Sequence, residues 1–103
     1  MTSPDDAVRR ELELLRNTVS HWGPRRWEGR AARVHALVQR IADLTAAAEG
    51  EPPRRVPRLD NDLALPDQLR VVVADLVSVE RDPAVLIAAA EDMVRVRRSL
   101  TEA

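Results

Sequence analysis

Apolar residues recur along this chain at helical intervals, with no convincing strand pattern anywhere. Val8, Leu12, Leu15, Val19 and Trp22 repeat in steps of three and four, which predicts an amphipathic helix over residues 4–22 with one narrow stripe to bury. Ser3-Pro4-Asp5-Asp6 supplies its start: a hydroxyl for the cap, proline at the first position and carboxylates facing the positive end of the helix. Gly23-Pro24 closes it and opens a second and longer helix, predicted over 24–49. Trp27, Ala31, Val34, Val38, Ile41 and Ala48 share one face of this second helix. Roughly a quarter-turn away runs a stripe of Arg26, Arg30, Arg33 and Arg40, with Leu37 and Leu44 set among the arginines. So short a connection predicts an antiparallel hairpin, with Leu12, Leu15 and Val19 against Val34, Val38 and Ile41.

Gly50 and the prolines at 52, 53 and 57 stop the second helix and predict an irregular, extended crossover over residues 50–65. Its Leu59, Leu63 and Leu65 suggest a segment laid over the core. Pro66 reopens a helix over 66–80, lined by Leu69, Val72, Val73, Leu76 and Val79. The run Val71-Val72-Val73 has strand propensity, but a lone strand has nothing to pair with. Asp82-Pro83 then caps a helix over 83–101. Its Val85, Leu86, Ala89, Ala90, Met93, Val94, Val96 and Leu100 cover about half the circumference, more than the ~100° stripe of an ordinary surface helix. The pattern as a whole predicts a single all-α domain over residues 1–103: a four-helix bundle-like arrangement of two antiparallel pairs joined by the proline-rich crossover.

Composition narrows this further. A chain of 103 residues builds one modest core. With two Trp and no Phe or Tyr that core is aliphatic and suits close helix packing. Sixteen basic residues, every one arginine, stand against 17 acidic ones for a net charge of −1, so any attraction to nucleic acid must be local. A GC-rich genome is enough to explain arginine without lysine. Without cysteine there is no thiolate nucleophile or zinc–cysteine set. No apolar run reaches the length of a membrane span and the first residues carry no leader pattern, so the expectation is a cytoplasmic protein with no membrane partner.

Candidate chemistry is sparse. There is no glycine-rich phosphate loop, no nucleophile elbow and no H-E-x-x-H. His21 and His35 fall on different predicted helices and read as solvated surface residues. Asp60-Asn61-Asp62 begins like a calcium loop, but the positions that need glycine and glutamate hold Leu65 and Val71. Trp27-Glu28-Gly29 resembles the W-x-G tripeptide of small helical-hairpin proteins exported by mycobacterial-type secretion systems. Those have two long helices flanking the motif where this chain has proline breaks, and no family is assigned on three residues. The expectation is no enzyme, no cofactor and no metal.

What remains are surfaces. Arg25 and Arg26 open the second helix where positive charge opposes the dipole, at about 0.3–1 kcal/mol per charge. Pairing with Asp60, Asp62 or Asp67 would offset this, as would a helix that begins only at Trp27. The alternative is that Trp22, Arg25, Arg26, Trp27, Arg30 and Arg33, with Arg40 further along, form a binding surface for an acidic partner protein or, as the second reading, for nucleic-acid phosphates. Leu37 and Leu44, together with Leu86, Met93 and Leu100 of the last helix, exceed what one small core needs and mark a homodimer interface; the competing reading is that Leu59, Leu63 and Leu65 of the crossover fold back and cover them. The expected function is a non-catalytic protein–protein interaction or adaptor module.

Overall fold

The computed structural model describes residues 3–102, and these contain helices and no strand. The order is α1 (Pro4–Val19), α2 (Pro24–Trp27), α3 (Ala31–Ala48), a 3₁₀ turn (Asp62–Ala64), α4 (Leu65–Val79) and α5 (Pro83–Thr101). The two caps read from sequence form as expected: Ser3 Oγ accepts from the Asp6 amide at 3.1 Å and Asp82 Oδ1 from the Ala84 amide at 2.9 Å. Val71, Val72 and Val73 lie inside α4, where neighbouring helices outweigh local strand propensity.

The long helix expected over 24–49 is two helices. α2 is a single turn, and Gly29, at φ 78°, takes the left-handed conformation that lets the chain leave α2 and re-enter as α3. α1 is also shorter than expected: its helix stops at Val19, and Trp22 sits in the connection, its amide bonded to the Val19 carbonyl at 3.1 Å.

The pairing of helices differs more deeply. α1 packs chiefly on α5, and α3 on α4; α1 also meets α4, α3 meets α5 and the 3₁₀ turn touches α2 and α4, while the chain neighbours α1 and α3 do not form a packed pair. The expected α1–α3 hairpin is therefore absent, because the eleven-residue excursion from Ser20 to Arg30 through α2 carries the chain past α1 instead of folding it back. Nor is α4 antiparallel to α3. The crossover runs back along α3: Glu51 donates to the Ala46 carbonyl, the Arg54 carbonyl and Val56 amide meet Gln39, and the Val56 carbonyl meets His35. At 1.5 Å per residue α3 is about 27 Å long, and an extended segment rising about 3.1 Å per residue between Ala48 and Asp62 spans that comfortably. α4 thus starts near the start of α3, and the two run the same way, with Val72 and Asp75 alongside Ala42–Glu49. α5 runs opposite to α3, since Arg33 reaches Ser99 and Arg40 reaches Asp92. α1 runs opposite to α4, Asp5 and Arg9 lying by Val77–Arg81 and Arg16–Ser20 by Pro66.

This arrangement explains the core. α3 and α5 each pack on two helices, so each buries a wide arc. Leu37, Leu86, Met93 and Leu100 are all at most 3% exposed within one chain, and Leu44 packs against the same core. They were expected at a dimer surface; the fold uses them as ordinary core side chains. Among the described residues the large apolar side chains left exposed are Leu14, Leu59, Leu63, Val71 and Ile87.

Candidate functional site

The residues between α1 and α3 gather at one end of the molecule. Trp27 is fully buried and Trp22 is 7% exposed; their rings meet edge-to-face, centroids 5.0 Å apart at 71°. The pair is the plug on which the turn is built, and Trp27 also lines a shallow groove with Val19, Leu63 and Pro66. Its indole Nε1 is buried without an acceptor.

Arginines cover this plug. The Arg26 guanidinium stands 5.3 Å and that of Arg30 5.9 Å from the Trp22 ring centroid, cation–π contacts worth about 0.5–1 kcal/mol each at exposed sites. Arg30 also donates to the Arg26 carbonyl at 3.1 Å, which fixes its stem across the break. Arg25 is exposed and has no carboxylate within 4.0 Å among the described residues. Because α2 is only one turn long, the dipole that Arg25 and Arg26 were expected to oppose is largely missing. The opposition moves to α3, which begins with Arg30 and Arg33, with no acidic side chain in its first turn and no side-chain cap. Arg33 answers it by reaching away: it donates to the Ser99 carbonyl at 2.8 Å and the Gly29 carbonyl at 3.3 Å, placing its charge on the negative end of α5.

Among the described residues, Arg25, Arg26, Arg30 and Arg33 have no carboxylate within 4.0 Å. The proposed internal partners Asp60, Asp62 and Asp67 are not used in this way; Asp62 instead pairs with Arg58 at 3.3 Å. Arg40 does not belong to the cluster. It lies further along α3 and binds Asp92 of α5 through two nitrogens, 2.7 and 2.9 Å, so the stripe expected on one helix divides into a structural half and an unpaired half. Burial pushes the Asp92 carboxyl up, but the hydrogen bonds and charge of Arg40, then of Arg95, outweigh it and hold the group below its ordinary value.

Two parts of this layout lie beyond what the sequence pattern showed. Asp92 is the acid of α5 that ties it to α3, because it faces Arg40. His35 is not a free surface side chain: its Nε2 donates to the Val56 carbonyl at 3.0 Å and, with Gln39, clasps the crossover. Both residues sit on the face of α3 next to the returning chain, a relation visible only once the crossover's direction is known.

Among the described residues no three His, Asp or Glu side chains are placed to hold a metal ion, and no helix is long and apolar enough to cross a membrane. The chain matches no family model, no curated protein and no solved structure, so its function is argued from its own surface.

Proposed function

We propose that the chain is a non-catalytic helical interaction module that docks an acidic surface of a partner protein through Arg25, Arg26 and Arg30. The observation that carries this reading is that two neighbouring guanidinium groups, those of Arg26 and Arg30, are positioned over the Trp22 ring with no carboxylate within reach among the described residues. Arg26 and Arg30 are held by Trp22 and by the bond from Arg30 to the Arg26 carbonyl, and Arg25 lies exposed beside them, also without a carboxylate within 4.0 Å among the described residues. Guanidinium groups positioned over a buried ring lose less side-chain freedom when a carboxylate arrives, which favours bidentate pairing.

Nucleic acid is the weaker reading for a stated reason. A platform for single strands needs exposed rings on which bases stack, and here both indoles are buried, Trp22 under the arginines themselves. Phosphate contacts alone would remain, on a chain of net charge −1.

The test is fluorescence anisotropy with two probes, a labelled poly-glutamate peptide and a labelled DNA oligonucleotide, over a range of salt. The expected result is peptide binding that is lost in the triple variant R25E/R26E/R30E and kept in R54E/R55E. Oligonucleotide binding in place of peptide binding, with affinity falling steeply as salt rises, would instead support the phosphate reading. Equal peptide binding by the triple variant and the parent would sink the site.

A further inference from the structure

Away from the arginine end, α1 and α5 lie side by side and leave a groove of about 500 Å³ between them. Its floor is built from small or short side chains, Ala7, Ala90 and Val94, and its largest apolar flanks are Leu14 and Ile87, 37% and 46% exposed. Two side chains on its rim carry the argument. Arg10 on α1 and Glu91 on α5 are both exposed, and neither has an ion-pair partner among the described residues. The other two rim charges, Glu11 and Arg97, are already paired with each other at 3.4 Å across the helices. The groove therefore presents one unpaired, solvated cation on one helix and one unpaired, solvated anion on the other, either side of an apolar floor.

We infer that this face is the docking surface for a second copy of the same chain, related by a twofold axis running along the groove. The geometry follows from helix direction. α4 ends beside the start of α1, and α5 begins just after it, so α1 and α5 run the same way. A twofold axis lying in the interface and parallel to these helices sets α1 of one copy against α5 of the other. It brings Arg10 opposite Glu91 of the second copy and, by the same operation, Glu91 opposite Arg10 of the second copy. An axis across the helices would set α1 against α1 and bring like charges together. The surface is thus self-complementary in only one of the two orientations, and an apolar groove with such a rim matches the core-and-rim pattern of protein interfaces. The interface is distinct from the arginine cluster at the helix break and does not rest on it. It also replaces the interface expected from Leu37, Leu86, Met93 and Leu100, which the fold buries in one chain.

Sedimentation velocity on the full chain over a rising concentration series tests this, with circular dichroism to confirm that each variant is folded. The parent is expected to shift from one chain to two. I87R and L14E, both at exposed positions, are expected to remain one chain at concentrations where the parent is two. R10E and E91R are each expected to raise the dimer dissociation constant about tenfold or more, and the double reversal R10E/E91R to restore it to within a few-fold of the parent. A parent that stays one chain at the highest concentration reached overturns the inference, as does a dimer that survives I87R and L14E. Single reversals without rescue in the double variant overturn the proposed pairing.

Discussion

Arg40 grips Asp92 with two nearly parallel hydrogen bonds, Nε to Oδ2 at 2.7 Å and a terminal nitrogen to Oδ1 at 2.9 Å, and so ties α3 to α5 across 52 positions of sequence. The Asp92 side chain is 15% exposed and that of Arg40 48%, which places the pair between a surface bridge and a buried one. Asp92→Asn is expected to cost about 1 kcal/mol, at the low end for a charge-assisted pair because the arginine is half in water. The pH dependence has a definite sign. With its pKa held below the ordinary 3.8, the folded Asp92 binds fewer protons than the unfolded one. Its contribution is complete above that ordinary value and is lost as pH falls through the depressed one. Urea midpoints measured from neutral pH down to acid should fall faster in the parent than in Asp92→Asn; parallel curves would show that the pair contributes nothing.

Gly29 and Gly23 flank the single turn of α2 but have opposite expectations. A Cβ would meet nothing within 4 Å at either position, so space does not separate them. Conformation does: Gly29 sits at φ 78° and Gly23 at −85°. Gly29→Ala is expected to destabilise by about 1–2 kcal/mol and Gly23→Ala by less than about half a kcal/mol. Equal effects in a denaturation series would mean that the break between α2 and α3 does not depend on the left-handed glycine.

Residues 51–61 of the crossover have no regular structure, whereas the expected irregular stretch ends in the 3₁₀ turn and the first residue of α4. Arg54, Arg55 and Arg58 are exposed, so trypsin is expected to cut there before cutting the helices. The segment is nevertheless tethered: Gln39 donates to the Arg54 carbonyl at 2.9 Å and accepts from the Val56 amide at 2.7 Å. Gln39→Ala should speed cleavage after Arg54 and Arg55 several-fold while changing global stability by only about 1 kcal/mol, since it releases a local segment and leaves the core intact. An unchanged cleavage rate would show that the clasp does not hold the segment.

Local features of this fold were legible in the sequence because they depend on a few adjacent residues. Ser3 and Asp82 cap their helices, and Pro24, Pro66 and Pro83 each fall in a first turn. The break at Gly29 was not legible, since a glycine within a helical pattern is tolerated and its positive φ leaves no mark on the spacing of apolar neighbours. Which helices pair was not legible either. Periodicity gives the width of a buried stripe and not the number of helices that cover it, so the wide arcs of α3 and α5 looked like surplus surface when each covers two neighbours. The exposed pair that does flank a groove left a weaker signal: Leu14 falls off the α1 stripe, and Ile87 stands apart from the α5 stripe. For the arginine cluster, composition showed the charges but not which had partners, because Arg40 finds Asp92 only through the antiparallel run of α5 along α3.

The sharpest check on this packing sets Leu37 against Leu14, two leucines that the helical spacing alone would place outside their helices' main stripes. Leu37 is 0% exposed and belongs to the central cluster; Leu14 is 37% exposed on the α1–α5 groove. Truncating a leucine in a filled core loses its transfer free energy and leaves a cavity that the surrounding helices close only partly. Leu37→Ala is therefore expected to cost about 2–5 kcal/mol, and Leu14→Ala less than about 1 kcal/mol when measured well below the concentration of any self-association. Denaturant unfolding of both variants at low concentration decides between the packings. A small loss at Leu37 with a large one at Leu14 would mean that α1 turns its other face to the core and that α3 is covered by one helix instead of two.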